Sequence, residues 1–568
     1  MAKNLGIILF FLATVALENA FAQINSRDEL LRKEIRESGQ ARIIIKNPGQ
    51  EKINELSRNV SVTAVRDDIV SITISPLTAD WFISQNLDYE IVEKTDAKSV
   101  ITAENAKGAM AWDKYPTYTQ YDSIMRSFAS LYPDNCLLDT IGTSIKGKLV
   151  LVLKISDNVK VDEDEPETFY SSTIHGDETG GFILMLHLAD YMLKNYATNS
   201  RVRNLVDNLE IWINPLANPD GTYRTGNTIS SPTRYNSNGY DLNRNFPDPE
   251  TPNTVVQKET TDMVKFMRDH HFVISVNFHA GVEVVNYPWD RWYRRHPDDN
   301  WFFYISRKYA DTVHIYSVPG YMTYLENGVT DGYDWYKING GRQDFITWEL
   351  QGREVTIELD YNYITPAASL NSLWQYNWHS LLGYLENARF GIHGVIKDAH
   401  SGMPVKAKVF IYGHDKDSSH VYSDQKTGRF VRLIAPGSWD LTLTAKGYVE
   451  KKVKDVIVTE GQATELTVEM EPLFNPVDTA NTPVPVLYPN PAGDYIKIVM
   501  PHHQIGDVNI KIFSSAGIKL LDFDTITQED IPLRIDLDGF SGGVYTLTVF
   551  NLNSGISNTG RFVVVHRE

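Results

Sequence analysis

Four apolar runs, each closing on a reactive side chain, constrain this chain more than any other feature. "ETFYSSTI" leads into His175, "NLEIWINPL" into Asn218-Pro219-Asp220-Gly221, "FVISVNF" into His279 and "VTI" into Glu358. Around them lie stretches of helical character: "GGFILMLHLADYMLKNY", "TVVQKETTDMVKFMRDHH" and "SLNSLWQYNWHSLLGYLENA". Buried strand runs alternating with helices predict an α/β fold, a mixed and mostly parallel sheet with helices on both faces. Loops at the carboxyl ends of such strands converge on one crevice, so the four groups are expected to meet.

The rest of the chain divides around this region, taken as residues 110–389. Residues 1–22 carry Lys3, the apolar "LGIILFFLATVAL" and the small-x-small Ala20-Phe21-Ala22, the pattern of a secretory signal peptide. No later stretch approaches the ~18 uninterrupted apolar residues of a membrane span. Within residues 23–105, strand and helix patterns follow one another as β-α-β-β-α-β, from "ARIIIK" to "DYEIVEK", a split-βαβ unit of α+β type. The polar, alanine-rich "TDAKSVITAENAKGAM" after it reads as a linker. Residues 390–472 hold only short strands between turn residues, as expected for a β-sandwich. A proline-bearing linker, 473–486, leads to a second run of short strands over 487–568.

Charge excludes one class of partner. The 54 basic residues against 72 acidic ones leave a formal charge of −18, which argues against nucleic acid. A single cysteine, Cys136, excludes an internal disulfide. Its apolar setting, "NCLLDTI", suits a buried structural thiol rather than a nucleophile.

His175 and Glu178 form a His-x-x-Glu pair, weak evidence alone because a surface turn produces the same spacing. A second strand-end imidazole, His279, changes this. Two imidazoles and a carboxylate form a three-ligand set that leaves zinc an open position. A ligating histidine needs an acceptor for its other ring nitrogen, and Asp241 in "YDLNRNFPD" is the candidate.

"IHGDE", "NPDG", "DLNRNFPD", "NFHAG…NYPWD", "NGVTDGYDWYKINGGRQDF" and "VTIEL" resemble, in order, the signatures of the zinc metallocarboxypeptidases, nearest the carboxypeptidase N/E branch. The resemblance runs from near Tyr115 to Arg389. It implies a carboxypeptidase-like fold and one zinc ion held by His175, Glu178 and His279, with Glu358 as general base. Arg234 would stabilise the oxyanion, Asn243 and Arg244 would hold the substrate's terminal carboxylate, and Tyr336 would cap the site. In the branch that prefers basic residues, an acidic residue and a glutamine stand at the positions of Asp290 and Gln343. A carboxylate at the base of a desolvated pocket favours C-terminal Arg or Lys.

The chain departs from that branch twice. Ala280-Gly281 replaces a usual pair of glycines, and residues 23–105 resemble a prodomain that the branch usually lacks. Residues 390–472 resemble the transthyretin-like domain of the branch. Residues 487–568 resemble the C-terminal sorting domain of type IX secretion. These resemblances imply a secreted or cell-surface enzyme acting on peptide or protein C-termini and handled by the outer-membrane secretion machinery. Two alternatives stay open: the same fold acting on apolar or peptidoglycan-derived peptides, or an inactive surface binding module.

Overall fold

Alternating burial along "ARIIIK" makes it a strand with one face inward. This is β1 (Ala41–Lys46), followed by β2 (Ser61–Val65), β3 (Ile69–Ile74) and β4 (Glu90–Ile91) in the spatial order β2-β3-β1-β4. Helices Gln50–Ser57 and Ala79–Ser84 fill the two crossovers. Ile43, Ile53, Leu56, Val62, Ile72 and Phe82 form its core, and that core also takes in Val282, Val284, Trp335 and Tyr336 from far along the chain. The N-terminal segment therefore packs on the following region through shared apolar surface, not through its linker alone.

The computed structural model describes residues 27–92, 100–161, 163, 165–252, 255–473, 485–501, 504–528 and 531–565. The signal-peptide pattern and most of the 473–486 linker lie outside these. The first compact unit comprises the described residues up to Val395 with Lys408–Thr442 and Lys452–Thr467. The second comprises Ile396–Ala407, Leu443–Lys451 and the described residues from Val468 onward.

The alternating region forms one eight-stranded sheet from β5 (Cys136–Thr143), β6 (Leu149–Ile155), β7 (Glu167–Ser172), β8 (Glu210–Asn214), β9 (Phe272–His279), β10 (Glu283–Tyr287), β11 (Val329–Asp331) and β12 (Arg353–Leu359). Their order is β11-β10-β12-β9-β7-β8-β6-β5. The central pairs β12–β9, β9–β7 and β7–β8 are parallel, and β6–β8, β5–β6 and β10–β12 are antiparallel. Every residue of β8 and β9 is buried, the signature of a sheet covered on both faces. Adjacent residues show the two faces. Phe169 stacks on Phe272 and meets Phe266 of helix Lys258–Asp269, while the Tyr170 hydroxyl donates to the Leu381 carbonyl of helix Leu370–Glu386. Helix Gly180–Asn195 is apolar on nearly all sides and largely buried, as befits a helix laid on such a sheet.

The alanine-rich stretch is not a free linker over its described part. Thr102 bridges to Tyr115, Ala106–Ala109 is a helical turn, and Ala103, Ala109, Trp112 and Tyr115 enter the main core. Trp112 donates its indole N–H to Asp190, and the Tyr115 hydroxyl donates to the Thr365 carbonyl. Ala103 and Ala109 within the stretch, and two aromatic anchors just past it, override the polar composition on which the linker reading rests.

Past residue 390 the strands form one three-stranded and one four-stranded sheet up to Met470, followed by another such pair. In the last pair, strands Tyr495–Val499, Gly506–Ser514 and Gly543–Asn551 turn Ile496, Ile510 and Leu547 into a shared apolar core, a small β-sandwich. Among the described residues, no helix is long and apolar enough to cross a membrane.

Candidate metal centre and active site

The loop after β7 is shaped by strain and close approach. Thr173, β-branched, sits at φ 60°, a region such residues rarely adopt. Its hydroxyl donates to the Glu178 carbonyl at 3.1 Å, which holds the turn. Gly176 lies against the next strand-end loop, where an added Cβ would come within 2.4 Å of the Gly221 carbonyl carbon. Only glycine lets the two loops cross at that distance. Asn218 ties them together: its amide donates to the carbonyls of Ile174 and Arg234, and its Oδ1 accepts the Gly221 N–H.

These constraints bring His175, Glu178 and His279 together. His175 Nδ1 lies 2.8 Å from Glu178 Oε1 and 3.0 Å from His279 Nδ1, and His279 Nδ1 lies 2.8 Å from Glu178 Oε2. All three residues are buried, with ligand atoms within 4.8 Å of one another. Parallel pairing sets Glu358 of β12 opposite His279 of β9. The other nitrogen of His175 lies 3.0 Å from Asp241 Oδ1. Asp241 Oδ2 accepts Arg234 Nε at 2.8 Å, and Arg234 Nη1 reaches Glu178 Oε1 at 3.1 Å. Two imidazole nitrogens and a carboxylate at mutual contact, with the far nitrogen of one ring held by a second carboxylate, suit zinc in donor type and spacing.

Burial by itself would raise the Glu178 carboxyl, but the two adjacent imidazoles outweigh it and hold the group below its usual range. Burial pushes His279 down to about 4. Glu358 goes the other way: burial first, and the Glu178 carboxylate second, push it well above the usual carboxylate range. Its Oε2 is buried with no hydrogen-bond partner. A small cavity is lined by the three clustered residues together with Glu358, Arg234 and Arg244.

The other expected site residues line the same cavity or lie beside it. Asn243 accepts the Arg342 N–H through Oδ1, and its Nδ2 lies 3.5 Å from His279 Nε2. Arg244 Nη1 donates to the Asn243 carbonyl and Nη2 to the Val62 carbonyl of β2. Tyr336 is buried, its ring edge-on to Trp335 at 4.8 Å. Asp290 Oδ1 accepts Asn286 Nδ2 at 2.8 Å and Gln343 Nε2 at 3.1 Å, and burial pushes its carboxyl up to about 6.

Several residues around Asp290 gave no warning in the sequence. Asp344 accepts the backbone N–H of both Asp290 and Arg291, clamping the loop after β10. Gly332 is required for space, since a Cβ there would sit 1.9 Å from Asp290 Oδ1. Thr63 of the N-terminal segment lines the cavity, and Ser61 donates to Asp241 Oδ2 at 2.6 Å. The position of Asp344 directly after Gln343 was the one available signal.

A parallel-core α/β sheet with a buried His–Glu–His cluster suited to a metal at its strand ends defines a class, and sequence comparison names it. The family model for zinc carboxypeptidase matches residues 121–380. Those for the carboxypeptidase regulatory-like domain and the secretion system C-terminal sorting domain match 391–471 and 486–565. Mouse carboxypeptidase M is 31% identical over 343 residues, covering 58% of this chain and 77% of that protein. The mouse carboxypeptidase N catalytic chain is 30% identical over 396 residues, covering 62% and 85%. The chain belongs to the zinc carboxypeptidase family. Human carboxypeptidase D is 33% identical over 363 residues, 61% of this chain, but the chain spans only 26% of that longer relative. Among solved structures, carboxypeptidase A from Helicoverpa armigera aligns with a TM-score of 0.48 at 16% identity, over 62% of this chain and 97% of that one.

Proposed function

We propose that this chain is an exported carboxypeptidase that hydrolyses the C-terminal peptide bond of peptides and releases Arg or Lys. One observation carries the reading: half-buried Glu358, whose inner oxygen Oε2 has no hydrogen-bond partner, shares a cavity with the His175–Glu178–His279 centre. Packing alone gives no reason to leave such an oxygen without a donor. His175, Glu178 and His279 would hold zinc. When bound, zinc supplies a Lewis acid that polarises a carbonyl and makes water nucleophilic near neutral pH.

The protein's own groups do the rest. Glu358, its pKa raised, takes a proton from the attacking water and delivers it to the leaving amine. Arg234, fixed by Asp241, keeps a guanidinium aimed at the site where negative charge develops on the carbonyl oxygen. Asn243 and Arg244 take the terminal carboxylate, for which a guanidinium fork is the matching shape, and so confine cleavage to the last residue. Tyr336 closes the site over the substrate. Asp290, with Gln343 beside it, pairs with the basic side chain. The amino-terminal pattern and the sorting-domain match support export by the type IX route, to the medium or the cell surface.

The N-terminal segment acts as a prodomain. Its β2 strand places Ser61 on Asp241, the Val62 carbonyl on Arg244 and Thr63 in the cavity, so the groups that receive substrate are covered until the segment is cut away.

Hydrolysis of matched peptides ending in Arg, Lys, Phe or D-Ala, with and without a zinc chelator, before and after limited proteolysis, tests the reading. Chelator-sensitive release of Arg and Lys, faster after trimming, is expected. Release of Phe but not Arg overturns the role of Asp290, and no release from any peptide leaves a binding module. Equal rates before and after trimming remove the prodomain role.

A further inference from the structure

One carboxylate of the metal-binding loop takes no part in the mechanism above. Asp177, between Gly176 and Glu178, is 2% exposed. Its Oδ2 accepts Arg42 Nη2 at 2.6 Å and Gln40 Nε2 at 2.7 Å, and its Oδ1 has no partner. Both donors come from the N-terminal segment. The Arg42 guanidinium also lies over the Tyr363 ring, with Cζ 3.8 Å from its centroid. A single cation is thus held between a buried carboxylate and an aromatic face, two features that each favour a guanidinium.

This small site is fixed by the catalytic region and lies beside the candidate metal centre, Asp177 next to Glu178 and Tyr363 against Gly281. The Tyr363 carbonyl accepts the Thr179 N–H at 3.0 Å, so the ring is anchored to the loop that carries Asp177. Its edge lies close over Gly281, where an added Cβ would come within 2.7 Å of Tyr363 Cε1. The Tyr363 hydroxyl donates to Thr63 Oγ1 at 3.1 Å, and Thr63 lines the cavity that holds Glu358 and Arg244. Arg42 and Ser61 both pair with Thr73 across the N-terminal sheet, so a single row of that sheet reaches both Asp177 and Asp241.

Loss of the N-terminal segment takes away both donors of Asp177 and leaves a nearly buried carboxylate without a cation, a costly state unless another cation enters. With the terminal residue received by Arg244 and Asp290, every other side chain of a linear peptide lies upstream of the scissile bond. We propose that Asp177 and Tyr363 form a subsite for a basic side chain at one of the two positions upstream of the cleaved bond, and that Arg42 fills it in the latent chain. The subsite rests on the carboxypeptidase reading and on removal of the N-terminal segment. It makes the preferred substrate a peptide with a cluster of basic residues at its C-terminus rather than a single one.

The test takes the zinc-loaded full chain, trimmed by limited proteolysis, and acetylated tetrapeptides ending in Arg. Each of the two preceding positions is varied in turn among Ala, Arg, Lys and Glu. At one position, Arg is expected to raise kcat/KM roughly tenfold over Ala, the scale of a partly desolvated cation–π and charge contact. Asp177→Asn is expected to collapse that ratio, and Asp177→Lys to turn it in favour of Glu. Tyr363→Phe keeps the ratio and Tyr363→Leu lowers it, because the ring face and not the hydroxyl meets the cation. The wild-type peptide series needs no variant to fold. Release of terminal Arg at equal rates whatever precedes it overturns the subsite alone. Release from no peptide at all overturns the carboxypeptidase reading and the subsite with it.

Discussion

Two buried charge clusters in the first compact unit use the same residue types to opposite ends. At the start of helix Asp299–Tyr316, Asp298 is buried together with Arg353 and Arg432. Its Oδ2 accepts Arg353 Nη2 and Arg432 Nη1, both at 2.8 Å, and its Oδ1 accepts His414 Nε2 and Arg432 Nη2. Asp415 next to it is equally served, by Arg432, Ser419 and the Ile411 N–H. In this hub each carboxylate oxygen meets a donor, and the buried atoms without partners are donor or ring nitrogens, the Nε atoms of the two arginines and Nε2 of the adjacent His296. The cleft cluster is built otherwise. Glu358 Oε2, Asp177 Oδ1 and Gln343 Oε1 are buried acceptors without donors, and two imidazole nitrogens face each other at 3.0 Å. A satisfied network holds elements together, whereas one with vacant acceptors is arranged for something that has yet to arrive.

Exchanging the roles of the two clusters is the sharpest way to break that contrast. Glu358→Gln is expected to lower kcat/KM by about 10²–10⁴-fold, the usual share of a general base, while the melting temperature holds or rises, because a carboxyl whose ionisation the site opposes gives way to a neutral amide. Steady-state kinetics beside thermal unfolding check both halves. Asp298→Ala is expected to do the reverse. Arg353 loses its carboxylate and Arg432 is left with Asp415 alone, which costs about 3–5 kcal/mol in denaturant unfolding, and turnover per folded, zinc-loaded molecule stays close to wild type.

A smaller effect concerns pH. Burial places the Asp290 carboxyl at about 6, so the group is neutral below that value and anionic above it. Selectivity for Arg over Phe, measured as the ratio of kcat/KM values, is therefore expected to rise with pH through about 6. The slope on the acid side is at most about tenfold per pH unit, the limit for one proton. A ratio that is flat across that range removes Asp290 as the charged partner. Ala280→Gly, which restores the paired glycines of the related branch, stands last. The Ala280 N–H that donates to Glu178 Oε2 is retained, so a cost of roughly 0.5–1 kcal/mol in stability and little change in rate are expected.

The alternating runs made the sheet and its helices legible because burial on both faces leaves an apolar signature that composition cannot hide. His175, Glu178, His279 and Glu358 stood out as candidates for a related reason: few side chains can hold zinc or move a proton, and these fall at or just past strand ends. The Asp298 hub was not. Arg353 and Arg432 read as charges within ordinary strands, and Asp298 meets Arg432 from 134 residues away. The cation subsite was equally silent, because Arg42 stands in "ARIIIK" as an outward residue of an alternating strand. "TDAKSVITAENAKGAM" misled for the opposite reason. Its small and polar residues suggest a free linker, yet Ala103 and Ala109 within it are buried in the core.

By itself the sequence determined the layered sheet and singled out His175, Glu178 and His279 as a candidate metal-binding set and Asp290 as a candidate partner for a basic side chain. These follow from local patterning and from the short list of groups able to bind zinc or move a proton. Only the tertiary structure decided which charges are satisfied and which are left waiting. It alone brought Arg42 to Asp177, the Val62 carbonyl to Arg244 and Asp344 to the Asp290 loop. Such pairings depend on distances set by packing, to which the order of residues along the chain gives no direct access.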